Sequence, residues 1–104
     1  MNILFQKKYL EDLYLSPKLG KKPKFSKSVI KGFKETIEDL KAISSSKKLY
    51  EFKSFHFEKL KGDLEGYHSI RIDKKYRLIF RIEKDEILIE EVIIIEDLTN
   101  HYGD

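Results

Sequence analysis

The sequence predicts an α+β domain in the order β-α-α-β-β-β, a mainly antiparallel sheet with two helices packed on one face. Three observations predict it. Two early segments repeat apolar residues at helical spacing, three late segments rich in isoleucine, tyrosine and phenylalanine read as strands, and the links between those strands are short and polar.

Asn2–Gln6 is the first strand candidate. Lys7–Leu15 places Leu10, Leu13 and Tyr14 on one helical face before Ser16-Pro17 stops it, and Lys18–Lys24 is a basic loop. From Ser26, a good N-cap, Ile30, Phe33, Ile37 and Leu40 recur at three- and four-residue steps. That second helix runs to about Ile43, where Ser44-Ser45-Ser46 ends it. A short helical or irregular connector follows through Leu49, Phe52 and Phe55 to Leu60. Gly62 and Gly66 bracket a turn, and strands are expected over Tyr67–Ile72, Tyr76–Ile82 and Ile87–Ile95. Their links, Asp73-Lys74-Lys75 and Glu83-Lys84-Asp85-Glu86, suit consecutive hairpins.

Strand alternation assigns the faces. Tyr76, Leu78, Phe80 and Ile82 point toward the helices, and Arg77, Ile79 and Arg81 point away. Paired strands would place Arg71, Arg77 and Arg81 on that outer face together. These are the only arginines among 21 basic residues, and they lie within eleven positions. A guanidinium holds a phosphate or carboxylate through a planar fork and keeps its charge at any physiological pH, so the cluster marks an oxyanion site.

The 104 residues suit one domain, 1–104, with a single core. Cysteine is absent, which excludes thiolate chemistry and a disulfide framework and agrees with a reducing compartment. No stretch is apolar for long enough to span a bilayer, so a soluble, cytoplasmic protein with no membrane partner is expected. The net charge of +3 conceals an asymmetry. Residues 1–34 carry nine lysines against Glu11 and Asp12, a balance of +7, whereas residues 83–104 carry Lys84 against eight acids, a balance of −7. The basic half is either a solvated lysine face or a polyanion-binding surface.

Cleaving a phosphodiester beside a 2′-hydroxyl requires a base for the 2′-oxygen, a cation for the crowded anionic phosphorus and an acid for the leaving 5′-oxygen. Glu58, Arg77 and His101 are chemically sufficient for those three tasks, without a metal or other cofactor. Each also has a plainer role: Glu58 as a surface ion-pair partner, Arg77 paired with Asp73 or Glu90, and His101 as an exposed terminal residue. His56, His68 and His101 lack the spacing of a metal site, and His56 between Phe55 and Phe57 reads as a partly buried packing residue.

Glu58–Ile72, containing Leu60-Lys61-Gly62-Asp63-Leu64-Glu65-Gly66 and Ser69-Ile70-Arg71-Ile72, followed by Tyr76-Arg77-Leu78-Ile79-Phe80, resembles the RelE/ParE superfamily of type II toxins, and its YoeB and HigB branches most closely. The resemblance implies a microbial RNase fold, cleavage of mRNA on the ribosome, and a cognate antitoxin that also links the toxin to operator DNA; a homodimer is a further possibility. Carried over by motif, Glu58 is the base, Arg77 the phosphate-stabilising residue and His101 the acid, with Tyr102 orienting the substrate base. Lys61, Arg71 and Arg81 are then RNA contacts, and His56 is the reserve base because HigB-like members carry histidine near this position. A ParE-like poison of DNA gyrase and a catalytically inactive corepressor are the alternatives in other functional classes.

Overall fold

The computed structural model describes residues 1–15 and 25–100. Strand β1 (Asn2–Phe5) leads into α1 (Lys8–Leu15), and α2 spans Lys27–Ala42. Short 3-10 turns over Ser46–Glu51 and Lys53–Phe55 connect α2 to β2 (Glu58–Lys59), and a third over Gly62–Leu64 precedes β3 (His68–Arg71). Two long strands, β4 (Arg77–Asp85) and β5 (Glu90–Thr99), are the last elements among the described residues. The basic loop expected over Lys18–Lys24 lies outside the described residues.

The sheet has the order β1-β5-β4-β3-β2. Only β1 with β5 is parallel; the other three pairings are antiparallel. The α+β class and its mainly antiparallel sheet therefore hold, with one strand added. Sequence alternation gave no sign of β2 because it is two exposed residues long, and pairing with β3 defines it.

Ser26 starts α2 as expected, its hydroxyl accepting from the Val29 amide at 3.3 Å. Val29, Ile30, Phe33, Ile37 and Leu40 form the buried stripe of this helix, joined in one core by Leu10 of α1. They meet Ile70, Leu78, Phe80, Ile93 and Ile95 from the sheet. Hence one sheet face is packed beneath the helices, and the alternate residues, of which Ser69, Arg77, Ile79 and Ile94 are themselves buried, form the other.

The last strand differs from its expected bounds. β4 continues to Asp85, β5 begins at Glu90, and Ile87, Leu88 and Ile89 form an exposed turn instead of opening a strand. Asp85 explains the change: its Oδ1 accepts from the Ile87 and Leu88 amides at 2.9 and 3.1 Å, closing an Asx-type turn that outweighs their strand propensity. At its other end β5 runs through Glu96-Asp97-Leu98-Thr99, absorbing most of the segment before His101 into the sheet. A register shift between Ile79 and Phe80 accommodates the extra residue, Glu96.

Candidate functional site

Four neighbouring strands, β2 to β5, set the geometry of the outer face. Arg71 lies opposite Arg77, and Arg77 opposite Thr99. In the adjacent row Glu58 lies opposite Ser69, Ser69 opposite Ile79, and Ile79 opposite Asp97. Because Ile70, Leu78 and Phe80 enter the core, Ser69, Arg71, Arg77, Ile79 and Arg81 share the other face, as alternation predicted. Two strand spacings, about 10 Å, separate the backbones carrying Glu58 and Arg77 on this face.

The three arginines have different surroundings. Arg77, the first residue of β4, is only 6% exposed. Its Nε donates to Ser69 Oγ at 2.8 Å and its Nη2 to the His56 carbonyl oxygen. These bonds tie β4 to β3 and to the residue that precedes the β2 segment. Arg71 is exposed, donates from Nε to the Asp73 carbonyl at 3.3 Å, and meets no carboxylate among the described residues. Arg81 is ion-paired with Glu83 at 3.0 Å and with Glu96, so its charge is already matched. Arg71 and Arg77 thus stand on directly opposed residues, one exposed and one buried, which concentrates positive charge at this end of the sheet.

Glu58 opens β2 at the sheet edge and is exposed, with no ion pair among the described residues. His56 lies two positions earlier in a left-handed conformation, φ 45°. It is exposed rather than partly buried, because the Arg77 bond fixes its carbonyl and the preceding 3-10 turn ends on its amide. Lys61 caps the Gly62–Leu64 turn and is exposed. Gly62 and Gly66 take φ values of 67° and 93°, the left-handed region that excludes most side chains, and so bend the chain from β2 into β3. His101 and Tyr102 lie outside the described residues. Thr99, two positions before His101, pairs with Arg77, so the chain leaves β5 at the Arg71–Arg77 end of the sheet.

Two polar features escaped the sequence reading. Tyr9 donates from its hydroxyl to Asp97 Oδ1 at 2.8 Å, and Lys7 Nζ stands 3.5 Å from Asp97 Oδ2. Burial, then the Asp97 hydrogen bond and charge, push the Tyr9 phenol well above its ordinary pKa. The cluster fixes the start of α1 to β5 in the same row as Glu58. His68 stacks on Phe57 at 5.3 Å and approaches Phe80 at 5.6 Å. Its buried Nδ1 has no hydrogen-bond partner among the described residues, and desolvation, followed by the Lys59 charge, lowers its pKa. Neither feature has a spacing motif; each depends on residues brought together across strands.

A family model described as the RelE-like toxin HigB of type II toxin–antitoxin systems matches residues 3–92. No curated protein matches the chain by sequence. Among solved structures, the chain is similar to a YoeB/ParE toxin from Agrobacterium tumefaciens, at 17% identity and TM-score 0.60, over 98% of this chain and 100% of the other. It is similar at 28% identity and TM-score 0.57 to a chain of the YoeB–YefM complex from Staphylococcus aureus, over 98% of both chains. The Staphylococcus aureus YoeB dimer gives 21% identity and TM-score 0.53, again over 98% of both.

Proposed function

The chain belongs to the HigB-like family of RelE-like type II toxins, and on that premise we propose that it is a ribosome-dependent mRNA endonuclease inhibited by a cognate antitoxin. The observation carrying the reading is the convergence of Glu58, Arg71 and Arg77 on one sheet face, at the end where β5 leads toward His101.

In the proposed reaction Glu58 removes the 2′-hydroxyl proton and the 2′-oxygen attacks phosphorus. Arg77, buried beneath the face, supplies a fixed positive charge to the phosphorane, and exposed Arg71 offers the fork that reaches its oxygens. His101 protonates the departing 5′-oxygen, leaving a 2′,3′-cyclic phosphate and a free 5′-hydroxyl. Tyr102 stacks on the substrate base and Lys61 contacts a neighbouring phosphate. Arg81 acts as an RNA contact only where RNA displaces Glu83 or Glu96. His56 is the reserve base. The YoeB–YefM toxin–antitoxin complex and the YoeB dimer of the Staphylococcus aureus relatives support an antitoxin partner and self-association for this chain.

Glu58→Gln is the decisive variant because the side chain is exposed and its loss leaves the core intact. Induced without antitoxin, the parent protein should arrest growth and generate new mRNA 5′ ends within translated codons, while Glu58→Gln should do neither. Full cleavage by Glu58→Gln, Arg71→Ala and His101→Ala alike would refute the mechanism. DNA breaks with intact message would instead identify a gyrase poison.

A further inference from the structure

The turn joining β4 to β5 is built to expose aliphatic side chains. Ile87 is 91%, Leu88 58% and Ile89 74% exposed. Three consecutive exposed aliphatics lose free energy to water unless another surface covers them. Their presentation is actively held: Asp85 caps the turn, and Ile89 sits at φ 54°, a left-handed conformation costly for a β-branched residue. Beside the turn runs a groove of about 790 Å³ lined by Met1, Lys41, Ile43, Ile82, Ile89 and Glu90.

Charge restricts what covers this surface. Residues 83–91 carry Glu83, Asp85, Glu86, Glu90 and Glu91 against Lys84, a balance of −4. Arg81 pairs with Glu83 and Lys41 lines the groove, which leaves the net negative charge at the tip itself, on Asp85, Glu86 and Glu90, none of them ion-paired among the described residues. Two such tips brought face to face repel each other, whereas a cationic aliphatic segment satisfies both the charge and the apolar surface. We propose that this tip and groove hold a lysine- or arginine-bearing aliphatic segment of the antitoxin, an inference that rests on the toxin reading. The contact runs from Ile82, five strand positions or about 16 Å from Arg77, out to the tip, which begins at Asp85 eight positions or about 26 Å away, so the antitoxin keeps an anchor away from the candidate catalytic row.

The test titrates the purified antitoxin, sought in the reading frame next to this gene, against the toxin by calorimetry. Ile87→Ser combined with Leu88→Ser should weaken binding at least tenfold without reducing antitoxin-free growth arrest, and Glu86→Lys should weaken it with a shallower salt dependence. Unchanged affinity in both variants overturns the proposal. So does a loss of self-association at unchanged antitoxin affinity, which assigns the tip to a second copy of this chain. Failure of the nuclease reading is distinguishable: the parent protein would then bind antitoxin through the tip yet cleave no message.

Discussion

Arg77 illustrates how burial separates residues of identical type. Its guanidinium bonds Ser69 and the His56 carbonyl, whereas Arg71 stands exposed directly opposite. Arg77→Ala should therefore lower stability by about 2–3 kcal/mol through loss of charged hydrogen bonds, as well as reducing cleavage. Arg71→Ala should reduce cleavage while leaving the urea midpoint nearly unchanged; equal destabilisation by both would contradict this division. His68 gives a pH prediction. Its folded pKa is depressed, so in the window from its ordinary value near 6.5 down to the folded value the unfolded chain binds more protons than the native chain. Stability should fall as pH drops through that window. His68→Phe, which keeps the ring stack and removes the titrating group, should flatten this part of the pH–stability curve; an unchanged slope would exclude His68 as its source.

Among the elements, α2 was legible because its cap, its apolar period and its end all agree. Ser26→Ala should cost about 1 kcal/mol, read from thermal melts, because the Val29 amide loses its side-chain acceptor. Legibility ended where pairing outweighed local pattern. Ile87, Leu88 and Ile89 continue the isoleucine run in sequence, yet the Asp85–Glu90 pairing and the Asp85 cap place them in the turn. β2 has no pattern of its own, so the strand status of Glu58 depends on Ser69 across the ladder. The arginine face was readable because Ile70, Leu78 and Phe80 mark the core side of β3 and β4, although Ile79 breaks the polar alternation on the other side. The unequal engagement of its members was not, since the acceptors of Arg77 come from β3 and the His56 turn.

At the scale of the molecule, charge is divided as sharply as fold. Residues 1–34 carry a balance of +7 and residues 83–104 one of −7. A ribosome surface is a dense phosphate polyanion, and each phosphate neutralised by a lysine contributes about 0.7–0.9 to the slope of log affinity against log salt. Lys21, Lys22 and Lys24 lie outside the described residues, so the argument rests on their charge alone. If all three contact ribosomal RNA, replacing them with glutamate should reduce that slope by about 2–3 and weaken sedimentation with ribosomes. The same replacement should leave the exposed acidic tip, and hence antitoxin affinity, unaltered apart from general charge effects that salt removes. An unchanged salt slope would restrict the lysines to a solvated face, while loss of antitoxin binding persisting at high salt would show that the basic and acidic halves serve one partner rather than two.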